Sequence, residues 1–340
     1  MLGIIGGYMR QEAGQLMMVG VPGTAMTVEL AQFMRRVRPA GVILFSRNVK
    51  SLSQLRSFIA DLRSEGGNDL IISVDEEGGR VRRLVSPFPK LPPAAEYENM
   101  REPRASVKQL VSKAACEMAK LGIDLDFAPV LDVATNPKNP AIGDRAFSAS
   151  AAVVADLGAE FIRALEQNGV GACGKHFPGH GDTDLDSHLA LPVLRHSRAR
   201  FDECELIPFH AAARMGVASI MTAHILVPAL DPKFPASISK SIVTGLLRNE
   251  IGYRGLILTD DLEMKGISDS HPPEKSASMA ISAGNDAVLV CSGDLVLENR
   301  VFDSISGAIL SGELMRQQVE SSISRTDEFR SRFSSSHESR

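Results

Sequence analysis

Short runs of aliphatic and β-branched residues recur along the chain, and between them lie longer stretches in which apolar positions return every three or four residues. That alternation is the pattern of strand–helix units repeated around a parallel sheet. Eight runs read as strands: LMMVGV (16–21), GVILF (41–45), LIISVD (70–75), DLDFAPVLDV (124–133), VGACGKHF (170–177), ASIMTAHI (218–225), GLILTDD (255–261) and DAVLVC (286–291). Most are continuously apolar, as strands covered on both faces must be. Helical periodicity runs through SLSQLRSFIADLRSEG (51–66), SVKQLVSKAACEMAKLG (106–122), AAVVADLGAEFIRALEQNG (151–169) and SISKSIVTGLLRNEIG (237–252), with Gly122, Gly169 and Gly252 as stop signals. Eight strands with helical crossovers predict an α/β protein of the closed (β/α)8 barrel type, one domain over residues 1–331; an open doubly wound sheet is the alternative. No linker rich in Gly, Pro or Ser divides the chain, and the small polar segment 332–340 is expected to be a frayed tail.

Composition narrows the function classes. The 340 residues are 44% hydrophobic and 23% charged with a formal net charge of −4, which is ordinary for a globular protein. No Lys/Arg-rich run supplies the basic surface that nucleic acid requires, so a small-molecule partner is favoured. The four cysteines, Cys116, Cys173, Cys204 and Cys291, are far apart and form no CxxC pair, so reduced, buried thiols are expected. The N-terminal MLGIIGGYMRQEAGQL lacks a basic n-region, and no apolar run approaches the ~20 residues that span a bilayer. A cytoplasmic location, without membrane or nucleic-acid partners, is therefore expected.

In a parallel barrel the carboxyl ends of the strands form the active face. Five of the runs end in polar residues: Asp75-Glu76-Glu77 with Gly78, Gly79 and Arg80 after the third, Asp132 in the fourth, Lys175-His176 in the fifth, His224 in the sixth and Asp260-Asp261 in the seventh. A single one of these could be a structural cap; five on one rim point to chemistry. The densest segment, Lys175 to His188, holds three histidines, three aspartates and a lysine in fourteen residues. A metal site there is one alternative, although no HExxH or i,i+4 His pair sets two ligands on one helical face. An acid/base dyad explains more. Asp186 and His188 flank Ser187, and if the loop turns there, the carboxylate can bond one imidazole nitrogen and leave the other facing substrate. A hydrolase also needs a carboxylate near the reacting carbon, which Asp260 or Asp261 supplies; Asp261 is the better candidate for capping the next turn.

These residues carry a family resemblance. KHFPGHGDTDLDSHLALP, with SVDEEGGRVRRL, DFAPVLDV, IGDRAF and GLILTDDLEM, resembles the bacterial single-domain β-N-acetylhexosaminidases of glycoside hydrolase family 3, and the flanking strands extend the likeness over almost the whole chain. The resemblance implies that Asp260 is a covalent nucleophile, that His188 is the proton donor with Asp186 as its partner, and that Asp75, Arg83, Arg145, Lys175 and His176 bind the sugar. It further implies a retaining exo-β-N-acetylglucosaminidase with no cofactor and no metal, cutting terminal N-acetylglucosamine from cell-wall muropeptide fragments. Glu76 stands where Gln is common in the family, which should add a negative charge near the sugar. Three rivals remain: a substrate-assisted hexosaminidase in which Asp75-Glu76-Glu77 supplies the acidic pair, a phosphorylase, and a non-catalytic sugar-binding barrel. Gly179 and Gly181 suggest that the loop bearing His188 could hinge as a lid.

Overall fold

A computed structural model describes residues 12–334; the N-terminal segment and the last six residues of the expected tail lie outside the described residues. Strands β1 (Met17–Val19), β2 (Gly41–Leu44), β3 (Ile71–Val74), β4 (Leu125–Asp126), β5 (Gly171–Phe177), β6 (Ser219–Thr222), β7 (Leu256–Asp261) and β8 (Ala287–Val290) follow one another around a closed barrel. Each pairs in parallel with its sequence neighbours, and β8 returns to β1 through Met17↔Val288 and Val19↔Val290. The barrel expectation holds, and the open sheet is excluded by that last pairing.

The apolar side chains divide into an inner and an outer set. Met18, Ile43, Ile71, Leu125, Cys173, Met221, Leu258 and Leu289 fill the barrel interior. Alternate positions such as Val19, Val42, Ile72, Ile220 and Val288 face the surrounding helices, among them Val28–Val37, Leu52–Gly66, Pro103–Leu121, Ala151–Glu166 and Leu295–Ser311. Both faces are therefore dry, which is why the strands read as unbroken apolar runs rather than as alternating ones. Gly122 ends the helix Pro103–Leu121 at φ 87°, a left-handed conformation in which its amide returns to Ala119 and Met118.

The bottom of the barrel is closed by the final helix, Arg316–Phe333. Phe329 and Phe333 enter the interior cluster, with ring centroids 5.0 Å apart, and a Cβ on Gly171 would lie 2.6 Å from the Phe329 ring. Beside them Arg330 donates to the carbonyls of Asp69 and Ala40 and to Gln15. Arg332 and Phe333 of the expected tail thus belong to this helix. Phe329→Ala is expected to cost about 3–4 kcal/mol through the cavity it leaves, read as a lower midpoint in thermal unfolding.

The largest departure from the expected strands is at the fourth. Pro129 lacks an N–H, so regular pairing stops after Asp126 and the ladder resumes only as an isolated bridge between Val130 and Lys175. All four cysteines are free; Cys173 and Cys291 are buried as expected, whereas Cys116 and Cys204 are only half-buried on helices. Burial pushes the Cys173 thiol up to about 12, which leaves it a protonated apolar group. No helix among the described residues is long and apolar enough to cross a membrane.

Candidate active site

The upper interior side chains Ile43, Phe127, Met221 and Leu289 form the floor of a cavity at the carboxyl ends of the strands. Asp75, Arg83, Arg145, Lys175, His176, Asp186, His188 and Asp260 all line it. The residues singled out in the sequence are thus brought together from the ends of β3, β5 and β7 and from the loops that follow β3, β4 and β5.

One side of the cavity is a compact network of charges. Lys175 Nζ donates to Asp75 Oδ1 at 2.8 Å and lies 2.6 Å from Glu77 Oε1. Arg145 grips the same Glu77 with two parallel bonds of 2.8 Å, so it is no loose surface ion pair. Burial would push the Glu77 carboxyl up, but the two cations hold it far below the usual range; Lys175 is held above its own despite burial, by Asp75 and Glu77. His176 Nδ1 bonds Asp132 Oδ2 at 2.7 Å, which leaves Nε2 facing Arg145 at 3.4 Å. Arg83 lies 3.5 Å from Asp75, with its guanidinium 5.6 Å from the Phe45 ring centre, and its Nε is buried without a protein acceptor. A row of fixed, partly unpaired donors and acceptors is what a polyol with several hydroxyls needs.

The same cavity is lined by Asp260, Asp186 and His188. Asp260 Oδ1 accepts the Asp261 amide at 2.8 Å at the tip of β7. Burial raises the Asp260 carboxyl, yet the histidines at 176, 224 and 188 and that amide bring it below its ordinary value, so it stays a carboxylate. Its neighbour has the contrary environment. Asp261 caps the next turn through the Glu263 amide at 3.1 Å, and burial together with Glu263 and Asp260 pushes it up to about 7. The adjacent aspartates thus sit in contrary electrostatic environments, Asp260 held below its ordinary value and Asp261 pushed above its own.

His188 Nδ1 and its backbone N both meet Asp186 Oδ1, at 2.8 and 2.9 Å, so the loop turns at Ser187 as expected. The imidazole is 66% exposed, open on its Nε2 side. Asp186 is held below the usual carboxylate range; partial burial opposes this, and bonds from His188 outweigh it.

Four residues absent from the expected site complete it. Glu77 ties Lys175 and Arg145 in place, and Asp132 does the same for His176. His180 and His224 are buried beneath the loops: His224 Nε2 donates to the Asp261 carbonyl at 2.9 Å while Nδ1 meets Ser237 at 2.7 Å, and burial shifts the ring below its ordinary value. Their signal in the sequence was position alone, at or just past strand ends.

Two expectations change. Glu76 does not line the cavity; it is fully buried behind it, accepting the amides of Arg83 and Leu84 at 2.7 and 2.9 Å, so its charge supports the turn that carries Arg83 rather than facing a ligand. Gly179 and Gly181 are explained by close packing, not by hinging. A Cβ on Gly181 would lie 1.9 Å from the Val133 carbonyl oxygen, and one on Gly179, at φ 127°, would meet Glu205. The imidazole rings of His176, His180 and His188 bond to different side chains, and no group of three or more His, Cys, Asp or Glu among the described residues is arranged to hold a metal ion.

Residues 8–328 match the N-terminal domain of glycosyl hydrolase family 3. The chain is similar to a β-hexosaminidase of Thioalkalivibrio sulfidiphilus, 40% identical over 280 residues that cover 81% of this chain and 80% of the relative. A β-hexosaminidase of Neisseria meningitidis is 37% identical over 83% of this chain and 80% of its own length. Among solved structures, a family 3 β-N-acetylglucosaminidase from a Paenibacillus species superposes with a TM-score of 0.91 at 36% identity, covering 95% of this chain and 62% of that one. This chain therefore spans less than two thirds of that protein. The β-N-acetylhexosaminidase of Beutenbergia cavernae is matched over 95% of this chain and 98% of its own, with a TM-score of 0.88 and 27% identity.

Proposed function

Given that this chain belongs to glycosyl hydrolase family 3, we propose that it is a retaining exo-β-N-acetylglucosaminidase working through a covalent glycosyl-aspartate on Asp260. The observation that carries this reading is the pairing, across one cavity, of an ionised carboxylate at the tip of β7 with a carboxylate-held imidazole on the loop after β5. Asp260 attacks the anomeric carbon as His188 protonates the departing oxygen; the neutral imidazole then deprotonates water, which releases the sugar with its configuration kept. Asp186 orients His188 by holding Nδ1, so that Nε2 faces the glycosidic bond.

Asp75, Arg83, Arg145, Lys175 and His176 bind the terminal sugar. So many fixed charged groups gathered around one sugar suit a chain end better than a chain interior. The relatives named β-hexosaminidase support the N-acetylhexosaminide class, and muropeptide fragments in the cytoplasm are the substrate and setting we propose. The substrate-assisted rival loses support because Glu77 is consumed by Lys175 and Arg145 while Glu76 lies outside the cavity.

The test is to follow cleavage of 4-nitrophenyl N-acetyl-β-D-glucosaminide by NMR and identify the first anomer formed, with and without phosphate. The β-anomer of the free sugar in both cases is expected. First formation of the α-anomer overturns the covalent reading, and a glycosyl phosphate replaces hydrolysis with phosphorolysis. Mass spectrometry of protein incubated with a fluorinated N-acetylglucosaminide should locate the sugar on Asp260.

A further inference from the structure

The acid/base dyad has little of its own to hold it. Asp186 is partly exposed and His188 mostly so, and their side chains bond chiefly to each other. Between them Ser187 is 3% exposed and anchored on two sides. Its carbonyl accepts the amide of Gly266, in the short helix Lys265–Ser268 that follows β7, at 2.8 Å. Its hydroxyl meets Nε2 of His180 at 3.0 Å.

His180 is itself held from every side. Its backbone amide donates to Asp132 Oδ1 at 2.6 Å, its carbonyl accepts from Asn139 at 2.8 Å, and its Nδ1 meets the Thr183 hydroxyl at 2.7 Å. Either neutral tautomer satisfies both ring nitrogens, because each faces a hydroxyl that can donate or accept. Burial holds the ring down to about 4, so it is uncharged wherever a hydrolase of this kind would work. The same Asp132 carboxylate fixes His176 on the sugar side.

We propose that His180 is a positioning residue for the reaction, its bond to Ser187 latching the Asp186–His188 dyad at the reach from Asp260 that proton transfer requires. The proposal rests on the reading of His188 as acid/base. Asp132 makes the latch continuous with the sugar-side wall, so the ring that sets the dyad is fixed by the same group that sets His176. Proton transfer to a leaving oxygen tolerates little misplacement, whereas an aglycone that departs unaided does not need it.

The experiment compares kcat/KM, which reports only steps up to aglycone departure, for 2,4-dinitrophenyl and phenyl N-acetyl-β-glucosaminides. Ser187→Ala, His180→Phe and the double variant are measured beside wild type and His188→Ala, with thermal unfolding as the check on fold. On the phenyl substrate each single variant is expected to fall roughly 10- to 100-fold, and on the dinitrophenyl substrate less than about 3-fold. The double variant is expected to be no slower than the worse single one, because both break one bond. An equal loss on both substrates, or losses that multiply, overturns the latch and leaves a merely structural histidine. If His188→Ala itself shows no dependence on the leaving group, the acid/base reading fails instead. Should His180→Phe not fold, Ser187→Ala, which removes a single oxygen, decides the matter alone.

Discussion

Asp260→Ala is expected to lower kcat/KM for 4-nitrophenyl N-acetyl-β-D-glucosaminide by at least about 10⁴-fold, whereas Asp261→Asn should lose less than about 10-fold. The contrast follows from two environments one residue apart. His176 and the Asp261 amide hold Asp260 below its ordinary value against its burial, and an anion at the anomeric carbon is what the first displacement consumes. Asp261 is pushed up to about 7, and its hydrogen bond to Glu263 is one that an asparagine oxygen can replace. Azide should restore part of the turnover of Asp260→Ala, with an α-glycosyl azide as product, because the small anion enters the space the carboxylate leaves. If Asp261→Asn proves the dead variant and Asp260→Ala stays within about 100-fold of wild type, the assignment is reversed.

Lys175→Met should be the most damaging change on the sugar side, in stability as well as in binding. It strips a buried cation from Asp75 and Glu77 and leaves Arg145 as the close partner of Glu77. Breaking a buried pair by removing one member costs about 3–5 kcal/mol, here a fall of roughly 5–10 °C in Tm. Adding Asp75→Asn to Lys175→Met should recover part of the Tm but none of the activity. The pH dependence follows from the two shifts. Glu77 is depressed, so its contribution is complete above its ordinary 4.5 and is lost as pH falls. Lys175 is raised, so its contribution is complete below its ordinary 10.5 and is lost as pH rises. The Tm difference between wild type and Lys175→Met should therefore be level from about pH 5 to 10 and shrink outside that window; a difference that grows in acid would show that the network does not stabilise the fold.

How legible this was from the amino acids depends on the kind of interaction. Strands buried on both faces announce themselves as apolar runs, and the barrel follows from repeating them. The exception at the fourth strand also has a local cause, since Pro129 interrupts a run that hydrophobicity alone would continue. Titratable residues at strand tips are equally visible, which is why Asp260, Lys175 and the Asp186–His188 pair could be named. The partnerships of their supports could not be read, although Glu77 and Asp132 were visible as polar residues at strand ends. Glu77 earns its place through Lys175 and Arg145, 98 and 68 positions away, and Asp132 through His176, 44 positions on; such partnerships exist only once the barrel closes. Glu76 shows the same limit from the other side. Adjacent to Asp75 in sequence, it points away because successive residues leaving a strand face opposite directions, and a charge expected beside the ligand is spent on the backbone of its neighbouring turn.

The corking of the barrel by Phe329 and Phe333 bears on how the chain can be handled. The helix that carries them follows all eight strands along the chain, so the polypeptide before it must wait, open at one end, until residues 316–333 are in place before the inner core is sealed. Trimming back to residue 315 for crystallisation or fusion would uncork a dry interior rather than remove a dispensable appendage, and the shortened product should collect in inclusion bodies even though every residue of the catalytic mouth is present.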